Sequence, residues 1–437
     1  MAFSLPGTAR PLLHQGVQSV GGIALPLKVP AIVPTPAGDS RLGWPSGIHQ
    51  LKAAHAIRAA TKVSSAKTKI AIACQGGGSQ TAFTAGALKA LCEAGVADEF
   101  EIVSLSGTSG GAVCAVLLWH ALERDADPPW RQLMDFWQDN SAQGWAEIAF
   151  NKLVVESVRM INSGLLPTFQ LSPSSAASRS SMQFATMGLR ENFMSFQKLL
   201  EAHVDFAEIA SWGPRAKRPI LMVGAANVTS GRLTKFISNR EPIRVEHVLA
   251  SCAVPTIFPA VQIGEDVYWD GLFSDNPPVQ ELIRPSSVGA QNVPEEIWLI
   301  KINPTRRETV PVRIDDIIDR RNQLEGNISL FQQLRHVEML NDMLLSDAFR
   351  PEFLCQFDIT APVRIPKSFS ASPDRPYHIP CIEMSLELQE TLDYESKIDR
   401  SAAHIEHLVL DGERCARAFL RERARTVAAE PLVAASF

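Results

Sequence analysis

Residues 104–122 read SLSGTSGGAVCAVLLWHAL, and the nearest Asp, Glu, Lys or Arg on either side are Glu101 and Glu123. By hydropathy alone an uncharged apolar run of about 18 or more residues is a candidate for a membrane span. The five residues Gly107-Thr108-Ser109-Gly110-Gly111 argue for another reading. They fit G-x-S-x-G, the sharp strand-to-helix turn that exposes a nucleophilic serine. The stretch then divides into a buried strand up to about Ser106, a tight turn over 107–111, and a core helix from about Gly110. Burial on both sides of the turn accounts for the missing charge.

The flanking sequence supports a sheet. Residues 70–74 form a short apolar run, followed by Gly76-Gly77-Gly78 and a helical pattern from 80 to 94 that closes at Gly95. "EFEIVSLS" is the next strand. Strand, glycine turn, helix, strand, sharp turn and helix is the rhythm of a parallel α/β sheet. Further strands are expected at 219–228, 232–237, 295–303 and, as an edge, 381–385. Helices are expected at 130–161, 245–253, 314–346 and 386–425. Residues 162–189, rich in Ser, Met and Leu, read as a long loop and a candidate lid.

The chain has 437 residues, of which 46% are hydrophobic and 20% charged, which suits a folded chain with a large core. Its formal charge of -5 offers no footprint for nucleic acid. The 7 cysteines include no C-x-x-C pair and read as reduced thiols of a cytoplasmic protein. Residues 1–38 contain no Asp or Glu, and Pro6, Pro11, Pro26, Pro30, Pro34 and Pro36 interrupt any helix there. No basic segment leads into an unbroken apolar run, so neither a signal peptide nor a transmembrane helix is expected. The organisation expected is a Pro-rich arm with a short basic helix (48–62) over 1–66, an α/β core over 67–303, and a mostly helical region over 304–437 packed on or extending that core. The arm and its helix are candidates for peripheral membrane contact; oligomeric state is not legible.

Three features carry chemistry. Ser109 sits in the elbow framed by Gly107, Gly110 and Gly111, with the N-terminus of the following helix aimed at it. Gly76, Gly77 and Gly78 can turn successive N–H groups inward as an anion nest, which suits the oxyanion of acyl transfer. The segment lacks the Gly-Lys-Ser/Thr of a phosphate loop, and Thr81 stands where a dinucleotide fingerprint needs glycine. The best-framed acid is Asp270 in "YWDGLFSDNPP", whose aromatic and apolar neighbours would raise its pKa and suit it for proton transfer. His336, His378, His404 and His407 lie downstream, none in a loop of catalytic character. Neither a metal nor a cofactor is called for.

The triple glycine, the elbow and the later Asp-Gly, in that order, resemble the patatin-like phospholipase family. The resemblance covers residues 70–279 and includes "VLASCAVPTIFPAVQIGEDVYWDGLFSDNPPV". It implies a three-layer α/β/α fold with a mainly parallel sheet. It also implies a dyad of Ser109 as nucleophile and Asp270 as proton acceptor, with Gly76, Gly77 and Gly78 as oxyanion hole. The activity implied is hydrolysis of lipid carboxyl esters (phospholipid, lysophospholipid or acylglycerol) through an acyl-serine. Gln75 stands where the family has Asp, Gln80 and Thr81 where it has a basic residue and Gly, and Leu272 where Gly is common. Loss of the basic residue shifts the expected substrate toward a neutral ester or lysolipid. An acyltransferase using the same acyl-serine and a non-catalytic lipid-binding protein are the competing readings.

Overall fold

The structure, a computed structural model, describes residues 67–429 apart from 168–171, 216, 256, 358, 368 and 371. The arm and helix expected within 1–66 lie outside the described residues. The strands of the main sheet are β1 (Thr68–Cys74), β2 (Phe100–Thr108), β3 (Ile220–Asn227), β4 (Leu233–Ile237), β5 (Val261–Ile263), β6 (Asp266–Asp270), β7 (Glu296–Lys301) and β8 (Ile382–Glu383). The helices that matter to the site are α1 (Ala82–Glu93), α2 (Gly110–Glu123), α3 (Arg131–Asn140), α4 (Gly144–Asn162), α5 (Ala176–Ala185), α6 (Val245–Ser251), α7 (Ile314–Leu345) and α8 (Ala402–Ala429).

The sheet runs in the order β8-β7-β1-β2-β3-β6-β5, with β4 also on β3. From β8 to β3 every pairing is parallel, and β4, β5 and β6 join antiparallel. Parallel strands must be covered on both faces, which is why β1, β3 and β7 read as nearly continuous apolar runs. Alternation along those strands splits the core in two. Ile70, Ile72, Leu221, Val223, Trp298 and Ile300 face the side covered by α1, α2 and α8. Ala71, Ala73, Met222, Ile297 and Leu299 face the side where α7 inserts Leu330, Leu334 and Val337. The molecule is an α/β sandwich with a mostly parallel central sheet.

The apolar run of the opening stretch is therefore interior. Residues 111–121 of α2 are almost fully buried, and no described helix is long and apolar enough to cross a membrane.

Two expectations need correction. The stretch 162–189 is not a continuous loop, because α5 forms within it. Its serine-rich sequence has no apolar stripe of core-facing period, so periodicity missed it. The helix expected over 386–425 is interrupted between Thr391 and Ala402, where side chains such as Asp399 and Arg400 bond to Asn151 and the Asn140 carbonyl instead of continuing a helix. Residues after 304 contribute both to the sheet and to its cover. β8 pairs with β7, and α8 crosses α1 so closely that Gly412 lies on the carbonyl of Phe83 and Gly86 on that of Val409. A side chain at either glycine would have to occupy space held by backbone.

Replacing Gly412 with valine should therefore lower the unfolding free energy by about 1–3 kcal/mol or more. Denaturant unfolding of the purified variant checks it. An unchanged midpoint would mean the crossing is looser than described.

Candidate functional site

β2 ends at Thr108 and α2 starts at Gly110, leaving Ser109 alone in the turn at φ 54, ψ -133. A positive φ at a non-glycine residue is strained by about 1–3 kcal/mol and persists only where its surroundings over-determine it. The holding groups are visible. The Ser109 N–H donates to Ser251 Oγ at 2.9 Å, and Ser251 Oγ donates onward to the Gly224 carbonyl at 2.6 Å. The Ser109 carbonyl accepts from Ala112 and Val113 as the first bonds of α2. Gly107, Gly110 and Gly111 lie where a Cβ would meet, respectively, the Ala112 N–H at 2.6 Å, the Gly78 carbonyl at 2.8 Å and the Gln75 carbonyl at 2.7 Å.

Asp270 reaches the same place by register. Gly224 of β3 pairs with Thr108 of β2, and Ala225 pairs with Asp270 of β6. β4 covers both residues from the other edge. β6 thus takes up the edge of β3 where β2 leaves it, and the two strand ends abut. The loop after Asp270 is laced to β2: Thr108 Oγ1 donates to the Asp275 carbonyl at 2.5 Å, and Ser106 Oγ to the Pro278 carbonyl at 2.6 Å.

The Asp270 carboxylate is 1% exposed. Its Oδ1 accepts from the Leu272 N–H at 2.8 Å, while Oδ2 has no hydrogen-bond partner among the described residues. Burial pushes its pKa from 3.8 up to about 7, and the Leu272 N–H and the adjacent Ser109 hydroxyl pull it back only in part. Cys252 is a further buried neighbour that sequence reading did not single out. Burial and the Asp270 charge hold its thiol well above the ordinary range, against a smaller lowering by Ser109. None of the described histidines is hydrogen-bonded to Ser109 or Asp270. His378 faces Glu338 at 3.3 Å, and His404 the Ser396 carbonyl at 3.0 Å.

The triple glycine follows β1 and lies beside the elbow. A Cβ on Gly76 would stand 2.8 Å from that of Ser109. The three glycines are not equivalent. The Gly76 N–H already donates to Asn276 Oδ1 at 2.7 Å, which corrects the expectation that all three N–H groups are free for an anion. Gly77 is half-buried and Gly78 exposed with φ +58, and neither N–H has an acceptor among the described residues.

The two departing glutamines both make side-chain hydrogen bonds to distant parts of the chain. Gln75 Oε1 accepts from the Ile302 and Asn303 N–H groups at 2.8 and 2.9 Å, and its Nε2 donates to the Gly326 carbonyl and Asn327 Oδ1 at 3.0 Å. Gln80 turns to Ser396 Oγ at 2.7 Å. Ser251, Asn276 and the acceptors on α7 were not found from sequence, because each acts across a long chain separation and carries no local motif.

A serine held in a strained elbow, a buried carboxylate abutting it and a glycine loop alongside define the class: an α/β protein with a candidate nucleophile site at the ends of its strands. Residues 72–283 match the model of the patatin-like phospholipase family, and the chain carries a patatin-like phospholipase domain over that span. Comparison with curated protein sequences finds no match. Among solved structures, VipD from Legionella pneumophila aligns at 14% identity over 82% of this chain and 68% of its own, with a TM-score of 0.31. The ExoU–SpcU heterodimer from the type III secretion system of Pseudomonas aeruginosa aligns at 17% identity over 62% of this chain and 52% of its own, with a TM-score of 0.22.

The Asp270 carboxyl gives a stability signature. Its folded-state pKa lies above the ordinary value, so between 3.8 and about 7 the folded chain keeps a proton that the unfolded chain releases. This contribution favours folding at low pH and is lost as pH rises through about 7. Asp270→Asn should therefore melt above the wild type at about pH 8, and the gap should close as pH falls below about 4. Calorimetry across that range checks it; a gap that does not vary with pH would contradict the assignment.

Proposed function

We propose that the chain is a serine acyl hydrolase that cleaves carboxyl esters of lipids through a dyad of Ser109 and Asp270. The observation that carries this reading is the unpartnered, buried Oδ2 of Asp270 beside a serine fixed in a strained elbow. A buried carboxylate oxygen without a well-formed bond costs free energy, and the Ser109 hydroxyl, already close enough to lower the Asp270 pKa, is the group whose proton it would take during attack.

In the reaction, Ser109 Oγ attacks the ester carbonyl carbon and passes its proton to Asp270 Oδ2. The carbonyl π pair moves onto oxygen, where the Gly77 and Gly78 N–H groups and the N-terminal end of α2 stabilise it. The intermediate collapses, the C–O bond breaks, and the leaving alcohol takes the proton from Asp270. Water then attacks the acyl-serine with Asp270 again as proton acceptor. The fatty acid departs and Ser109 recovers its hydrogen. A carboxyl with a pKa of about 7 can do both duties near neutrality.

The surroundings favour an apolar substrate. Trp269 and Phe273 flank Asp270 and are exposed, as are Ile257 and Phe258. The latter two follow Ala253, whose carbonyl receives the Asp270 N–H at 3.0 Å. The position where a lipid phosphate would gain from a basic residue is held by the neutral Gln80, engaged at Ser396. A neutral ester or lysolipid is the substrate class proposed.

Ser109→Ala should abolish hydrolysis of short-chain nitrophenyl esters and of the best substrate in a lipid panel. In the wild type kcat/KM should rise with pH through about 7 as Asp270 loses its proton. Hydrolysis by the Ser109→Ala protein at the wild-type rate would sink the proposal.

A further inference from the structure

The site contains a buried amide that the proposed chemistry does not use. Asn276 is fully buried. Its Oδ1 accepts from the Gly76 N–H at 2.7 Å, and its Nδ2 donates to the Gly76 carbonyl at 3.4 Å. One side chain therefore grips both polar groups of a residue 200 positions earlier in the chain. Asn276 is itself held by α7: its N–H donates to Ser329 Oγ at 3.1 Å, and Nδ2 also reaches the Gly326 carbonyl at 3.4 Å. A turn further along the same helix, Gln333 accepts from the Val279 and Gln280 N–H groups at 2.7 and 3.0 Å and donates to the Pro277 carbonyl at 3.0 Å. Gly326, Ser329 and Gln333 lie at helical spacing, so one face of α7 fixes the loop that carries Asn276.

The consequence for the nest follows from peptide geometry. The carbonyl of Gly76 and the N–H of Gly77 belong to one planar trans peptide and point in opposite directions. Holding that carbonyl toward Asn276 turns the Gly77 N–H away from Asn276, toward the open side of the loop. Glycine on both sides of this peptide leaves rotation cheap unless something holds it. We infer that Asn276 is a positioning residue that aims the Gly77 N–H at the oxyanion by clamping the Gly76 peptide to α7. This rests on the proposed hydrolase reading, and it makes a helix outside the family-matched span part of the machinery that prepares the site.

The test compares Asn276→Ala with Asn341→Ala. Asn341 grips the Val363 N–H and carbonyl in the same two-handed way, at 3.0 and 2.7 Å, but from a part of α7 that does not touch the loop. Both variants should lose stability. Only Asn276→Ala should lower kcat on a nitrophenyl ester, by about 10²-fold, with KM within about twofold of wild type. Fluorophosphonate labelling of Ser109 should slow in parallel, while Asn341→Ala keeps wild-type kcat per folded molecule. If Asn276→Ala does not fold, Asn276→Ser carries the same comparison. Equal kcat in the two variants, after correction for folded fraction, would overturn the inference. Hydrogen–deuterium exchange of the peptide spanning 75–80 reads the clamp without any catalysis and should speed up only in the Asn276 variant. Should the wild type prove inactive, the hydrolase reading fails, and faster exchange would still uphold the clamp while unchanged exchange would overturn it.

Discussion

Thr108 and Asp270 are neighbours because consecutive residues of β3, Gly224 and Ala225, pair with them along one edge. The elbow serine follows the first of these and the candidate acid is the second. The spacing of the two candidate groups is set by a backbone ladder whose rise per residue hardly varies, not by long side chains or by a loop. The other supports attach to the same strand. Ser251 Oγ links the Ser109 N–H to the Gly224 carbonyl, and α6, which carries Ser251, packs beside β3. The strain at Ser109 is tolerable because this frame is buried on both faces and cannot relax locally.

The electrostatics follow from that placement. An acid at a strand end inside an apolar sandwich loses its water, and little replaces it: one N–H from Leu272 and the neighbouring hydroxyl. Desolvation therefore exceeds hydrogen bonding, and the proton affinity climbs into the range useful for moving protons near neutrality. The same burial keeps the Cys252 thiol protonated beside it, so the site holds one candidate nucleophile and one inert sulfur.

Much of this was legible in the sequence because it is local. Residues 107–111 announce a turn, and the apolar runs at 70–74, 219–228 and 295–303 announce interior strands. Asp270 stands out by its aromatic and apolar frame. What stayed hidden is what acts at a distance. Ser251 sits in an unremarkable helix end, and Asn276 reads as part of a proline turn. Gln75 and Gln80 looked like losses, yet both are committed to bonds with residues hundreds of positions away. A hydrogen-bond partner more than about one element away leaves no periodic trace, so such roles emerge only once the chain is folded. The opposite error, an over-long helix through 392–401, arose where tertiary bonds outweigh helical propensity.

The order of the sheet has a practical meaning for anyone dividing this chain. β7 pairs with β1, yet it begins at Glu296, beyond residue 283 where the family match ends. A fragment stopped at that boundary would strip β1 of its neighbour. The strand leading to the glycine nest would become a bare edge, apolar on both faces and with a row of unpaired N–H and C=O groups. Such an edge recruits other chains, so the family-matched span and the minimal soluble unit of this protein should not coincide.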